Sequence, residues 1–197
     1  MKKNIILAGV GGQGILSISA IIDWAALKMG LNIKQAEVHG MSQRGGAVQS
    51  HLRISDQEIF SDLIPLKGAD LILSVEPMEA LRYLPFLSES GCIVSSIDPF
   101  KNITHYPDIE NIIAQIKKTN KPVLVNSSGI CCEIGNSKAT NIIMLGAGAS
   151  YLGIDPLLLE AGIREMFERK GETVVKSNIK AFRIGMEISD HQNKINQ

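Results

Sequence analysis

Apolar residues fall in short blocks along most of the chain and in longer, spaced arrays toward its end. The run Ile5-Ile6-Leu7-Ala8 is bounded by polar residues on one side and glycines on the other, and reads as a short, fully buried strand. The period then changes. Over residues 13–29, Ile15, Ile18, Ile22, Ala25, Ala26 and Met29 recur near helical spacing, with Gly30 as the stop. Residues 32–38 predict a second strand, so the opening reads as a βαβ unit with parallel strands and a right-handed crossover. Residues 47–54 alternate Val48, Ser50, Leu52, Ile54 against Gln49, His51, Arg53, which predicts a strand with one wet face. Ser55-Asp56-Gln57 is expected to turn it into a short partner around residues 58–60, making the sheet mixed.

Residues 70–75 and 92–96 predict buried strands, separated by a helix over 77–87 that Pro85 should end or kink. An amphipathic helix follows over 108–118, through Ile109, Ile112, Ile113 and Ile116, and then a last strand over 122–125. From Ser137 the pattern is helical only: 139–151, 156–168 with Asp155 as N-cap, and 174–188. Gly146-Ala147-Gly148-Ala149-Ser150 is small-sided and suits a close helix contact. The prediction is a three-layer α/β/α fold on a mostly parallel, mixed sheet with a helical C-terminal segment. Residues 1–188 form a single domain in this reading, and 189–197 a frayed tail.

Composition narrows the function more than the fold. Lys plus Arg and Asp plus Glu are both 20 of 197 residues, so nothing recommends nucleic acid or an anionic membrane as partner. Cys92, Cys131 and Cys132 lack C-x-x-C spacing and cannot alone supply four thiolates, so no metal is expected on this chain. Cys131 and Cys132 lie amid apolar residues and are expected to be buried. The start Met1-Lys2-Lys3 is followed by no cleavage pattern, and no stretch reaches the roughly 20 apolar residues of a membrane span, so a cytoplasmic location is expected.

Two glycine-rich stretches carry the candidate chemistry. Gly9-Val10-Gly11-Gly12-Gln13-Gly14 has the G-x-G-x-x-G spacing, which permits close backbone approach and leaves amides free at a helix N-terminus. The same glycines would also serve a packing turn without a ligand. Glu37 stands where a dinucleotide-binding domain holds a ribose hydroxyl, or it is a strand-end carboxylate pairing with Arg44. The second stretch runs from His39 to Gly46 at a strand's carboxyl end, where wound α/β sheets place their crevice, and its ionisable groups are His39 and Arg44. His51 and His105 are isolated, and Ser127-Ser128-Gly129 lacks a nucleophile elbow and reads as helix capping. No catalytic side chain emerges; such a chain fits one that completes another subunit's site. The alternative is a self-contained, Rossmann-like nucleotide-binding protein.

GVGGQGI from Gly9, EVHGMSQRGGAVQSHLRI from Glu37, EPMEALRYLPFL from Glu76 and NIIMLGA from Asn141, in that order, resemble the indolepyruvate-type beta subunits of the 2-oxoacid:ferredoxin oxidoreductase family, equivalent to its gamma domain. HGMSQRGG is the most specific part, and Cys131-Cys132 is where the chain departs from the family pattern. The resemblance implies a non-catalytic subunit of an enzyme that converts an aryl-2-oxoacid, coenzyme A and oxidised ferredoxin into the aryl-acetyl-CoA, carbon dioxide and reduced ferredoxin. It places thiamine diphosphate, magnesium and the iron–sulfur clusters on a larger alpha subunit, the partner through which ferredoxin is met. It also implies that Gly9, Gly11, Gly12, Gln13 and Gly14, with His39, Gly40, Ser42, Gln43, Arg44, Gly45 and Gly46, help shape the cofactor or coenzyme A entrance.

Overall fold

The computed structural model describes residues 1–40, 45–101 and 103–195. Met41, Ser42, Gln43 and Arg44 lie outside the described residues. The elements are β1 (Lys2–Val10), α1 (Ile15–Lys28), β2 (Asn32–His39), β3 (Ala47–Ser55), β4 (Ala69–Ser74), α2 (Pro77–Arg82), β5 (Leu87–Ser96), α3 (Ile109–Ile116), β6 (Val123–Val125), α4 (Ser127–Ile134), α5 (Thr140–Leu152), α6 (Pro156–Phe167) and α7 (Glu172–Ile195). Six strands form one sheet in the order β2-β3-β1-β4-β5-β6. β1, β4, β5 and β6 are parallel neighbours, while β3 runs antiparallel to both β1 and β2.

Helices cover both faces, giving the expected α/β/α layers. On one face Ile5, Leu7, Leu52, Leu73 and Val94 share a core with α1 and α4 to α7; on the other, Ile6, Ala8, Ile72 and Ile93 pack against α2 and α3. The small-sided stretch in α5 does allow a close approach: a Cβ on Gly146 would lie 2.0 Å from the Phe182 carbonyl oxygen of α7, and one on Gly185 2.1 Å from that of Ile143. α7 therefore lies directly on the central helix.

Four expectations need correction. β2 does not neighbour β1, because β3 enters between them; the hairpin is β2–β3, with Glu37 opposite Ser50, and residues 58–60 are not a strand. The wet face expected of β3 is only partial: Gln49 and Arg53 are half-buried, and the loop after the strand folds beneath the residue between them. Its His51 is buried, and Nδ1 accepts from the Ile64 backbone N–H at 3.0 Å. Burial lowers the His51 pKa below its ordinary value, so the ring stays neutral and free to accept. The helix α4 was masked by its polar Ser-Ser-Gly start, whose cap is Asn126, accepting from Gly129 N–H at 2.9 Å. Finally, residues 189–195 continue α7 rather than fray. The Gln192 carboxamide accepts from Leu124 N–H at 3.0 Å and donates to its carbonyl at 2.7 Å, standing in for the strand that edge strand β6 lacks.

Candidate functional site

The two glycine stretches meet at the carboxyl edge of the sheet, and backbone bonds join them directly. Gly11 N–H donates to the Gly46 carbonyl at 2.8 Å, and Gly45 N–H to the Gly11 carbonyl at 3.4 Å. Gly40 N–H closes the second loop onto Ala47 O at 2.8 Å. Within the first loop, Gln13 folds back, its Oε1 accepting from Val10 N–H at 2.7 Å. Gly9 is packed under this turn: a Cβ there would lie 2.8 Å from Ile15 Cδ1 and 2.9 Å from Gln13 Oε1. Gly9, Gln13, Gly45 and Gly46 thus build the wall, while Gly11, Gly12, Gly14, His39 and Gly40 line an open cleft of about 670 Å³. The expected roles of Ser42, Gln43 and Arg44 fall on residues outside the described ones.

Three residues here use conformations that favour glycine, among them Gly45 with φ +81°. Gly12 has φ +100° and a Cβ on it would meet nothing within 4 Å, so its outer side is open. Gly14, the N-cap of α1, has φ +79° and is pressed from within by Asn141 of α5, whose Nδ2 donates to Gly14 O at 3.3 Å. α1 has no side-chain cap and no acidic residue in its first turn, so its positive end meets the cleft uncompensated, and the equally uncapped start of α5 lies behind Gly14. Sequence reasoning passed over Asn141, because an asparagine near a helix start gives no pattern that reveals a contact 127 residues away.

Beside the cleft, His39 Nε2 lies 3.4 Å from the Glu37 carboxylate, which Gln35 also contacts. Burial, with the charge of Glu37 added, pushes Asp23 on α1 up to about 6, and its Oδ1 has no hydrogen-bond partner among the described residues. The pairing of Glu37 with Arg44 lies outside the described residues, and the Glu37 neighbours named here are groups of its own strand and of α1.

Nearby, Glu76 at the end of β4 is fully buried. Its Oε2 caps α2 by accepting from Glu79 N–H at 2.9 Å, and its Oε1 accepts from the Tyr106 hydroxyl. Asp98 Oδ2 accepts from Ser127 Oγ at 2.6 Å and Ser128 N–H at 2.8 Å, so those serines are spent on organising the start of α4. Of the cysteines, Cys131 is buried but Cys132 is exposed, contrary to the expectation for the pair, and burial pushes the Cys92 thiol up to about 11. A neutral thiol of that kind is a poor nucleophile.

The arrangement offers backbone amides, a histidine and a concave surface. An open cradle at Gly12 beside the positive end of α1 fits a phosphate-bearing group. The thiols do not fit an iron–sulfur cluster, with Cys92 in the sheet and Cys131 and Cys132 on α4. No helix among the described residues is long and apolar enough to cross a membrane.

Residues 4–188 match the family model for pyruvate ferredoxin/flavodoxin oxidoreductase. The chain belongs to this family. It is 39% identical over 196 residues to the indolepyruvate oxidoreductase subunit IorB of Archaeoglobus fulgidus, covering 94% of each chain. The subunit of the same name from Methanothermobacter thermautotrophicus is 38% identical, over 94% of this chain and 96% of the relative. In fold it matches a 2-oxoglutarate:ferredoxin oxidoreductase from Magnetococcus marinus, solved with 2-oxoglutarate, coenzyme A and succinyl-CoA bound. The TM-score is 0.78 at 20% identity, over 96% of this chain and 31% of that one. The unit described here is thus one part of a longer polypeptide in that relative.

Proposed function

We propose that this chain is the gamma-type subunit of a cytoplasmic 2-oxoacid:ferredoxin oxidoreductase acting on indolepyruvate or related arylpyruvates, and that it works only when docked on a larger alpha subunit. The observation that carries the reading is the cross-bonded pair of glycine loops. They form an open cleft whose lining joins glycine backbone and the His39 imidazole to Ser17 and the apolar Val10, Ile15, Leu16 and Val48, in a chain that shares more than a third of its residues with IorB subunits along nearly its whole length.

In this reading the alpha subunit holds thiamine diphosphate, magnesium and the iron–sulfur clusters, and meets ferredoxin. Thiamine supplies the carbanion chemistry of decarboxylation when bound, and coenzyme A accepts the acyl group. The chain's own contribution is to bind and to exclude water. The amides of Gly12 and of the first turn of α1 receive a phosphate of coenzyme A or border the thiamine pocket, and His39 stands at the rim. Ser42, Gln43 and Arg44, outside the described residues, belong to the same reading as contacts of that entrance, Arg44 by the ability of a guanidinium to fork onto a phosphate or carboxylate.

The test is reconstitution. Co-expressed with its alpha subunit, the chain should give a brown complex that reduces ferredoxin when supplied with indolepyruvate and coenzyme A, whereas the lone chain should be colourless and inactive. Turnover or visible iron–sulfur absorbance from the lone chain would overturn the assignment, as would an alpha subunit equally active without it.

A further inference from the structure

α5 is the helix with least freedom to shift. Apart from Thr140, Ser150 and Tyr151 its residues are buried, and α7 lies against it at Gly146 and Gly185. Its first turn carries Asn141, 8% exposed, which reaches out of the core to the first glycine loop. There Nδ2 shares the Gly14 carbonyl, 3.3 Å away, with the N–H groups of Ser17 at 3.1 Å and Ile18 at 3.3 Å. A Cβ on Gly14 would stand only 2.5 Å from Nδ2, so the contact needs a residue without one as well as the left-handed φ. The side chain thus ties the turn that opens α1 to the most buried helix of the molecule.

We infer that Asn141 is a positioning residue for the glycine cleft. By holding the Gly14 carbonyl back toward α5, it turns the amides at the start of α1 outward and keeps that helix N-terminus aimed into the cleft. Asn141 acts through Gly14 and does not touch the ligand. This rests on the reading that the cleft receives a phosphate of coenzyme A.

Two variants separate positioning from plain stability. Asn141→Ala removes the donor, worth about a tenfold effect. Asn141→Asp keeps the shape, loses the donor and sets a carboxylate oxygen against the Gly14 carbonyl, and its negative charge behind the loop repels a phosphate. In the reconstituted complex, KM for coenzyme A should rise about tenfold in Asn141→Ala and further in Asn141→Asp, with kcat within about twofold of wild type. Amide exchange of the lone chain over residues 12–17 should quicken about tenfold in Asn141→Ala, with α5 to α7 unchanged. Unchanged exchange over 12–17 would refute the inference, and so would a lowered Tm in both variants with KM unaltered. If the wild-type complex turns over no 2-oxoacid, the functional reading fails, and the exchange measurement still decides the tether.

Discussion

Adding one methyl group at Gly12 tests whether the cleft is used, because Gly30 provides a control with nearly the same backbone cost. Both have positive φ, +100° and +71°, and a Cβ on either would meet nothing within 4 Å. Alanine in that region costs roughly 1–2 kcal/mol in the folded state, partly offset by about 0.4–1 kcal/mol of lost freedom in the unfolded chain. Each variant should therefore lose about 1 kcal/mol of stability, and each should still fold. They differ in what lies outside. Gly30 follows α1 at the far end from the cleft, whereas the Gly12 methyl would project into the 670 Å³ space where the proposed phosphate approaches the amides. Displacing a phosphate from one charge-assisted bond costs about 1.5–3 kcal/mol, so Gly12→Ala should lower kcat/KM for coenzyme A by roughly 10- to 100-fold. Gly30→Ala should change it by less than about twofold. The assay is steady-state kinetics of the two reconstituted complexes beside thermal melts of the lone chains. Equal turnover by the two would show that nothing approaches the backbone at Gly12, and would remove the first loop from the site.

Gly146→Ala should cost about 3 kcal/mol in denaturant titrations despite the better helix propensity of alanine. The new Cβ would overlap a backbone carbonyl that cannot rotate aside, and stability equal to wild type would contradict the close α5–α7 contact. Asp23→Asn should stabilise the chain above pH 6. The folded-state pKa of about 6 lies above the ordinary 3.8, so ionising Asp23 costs stability as pH rises from about 4 through 6. After allowance for its partial exposure the gain should be about 1–2 kcal/mol at pH 8, vanishing below pH 4; a gain independent of pH would refute the assignment.

Local signals in the sequence located most elements to within a few residues. Burial on both faces makes β1, β4 and β5 short apolar runs, Asp155 before Pro156 starts α6 as a capping residue should, and Pro85 ends α2 as its missing N–H requires. What could not be read was decided by contacts distant in sequence. His51 and Arg53 look solvated in an alternating strand, yet the loop after β3 returns beneath them: Arg53 donates to the Ser61 and Leu63 carbonyls, as Ile64 does to His51. Likewise the polar end of α7 reads as a tail until Gln192 is seen bound to Leu124, 68 residues away. At the site, the glycines announced a close backbone approach but not its partner, which for Gly11 is the second glycine loop.

That pairing also separates the two functional readings. In a dinucleotide-binding βαβ unit the second strand lies beside the first, so the acidic residue at its end can reach the ribose of a nucleotide seated on the glycine turn. Here β3 lies between β1 and β2, which moves Glu37 two strand spacings, roughly 10 Å, from the line of β1. Its carboxylate is engaged by Gln35 and His39, and its charge bears on Asp23. Both polar groups of Gly11 are given to Gly46 and Gly45, so the amide that would face a pyrophosphate at that point is already bonded. The spacing is therefore accounted for by packing within the chain, Gly9 under Gln13 and Ile15, Gly11 against the second loop and Gly14 against Asn141, and what remains open to a ligand begins at Gly12. A cleft that offers amides while Glu37 is held by Gln35 and His39 can grip a phosphate without recognising a ribose, which suits a surface that completes the cofactor entrance of a larger subunit.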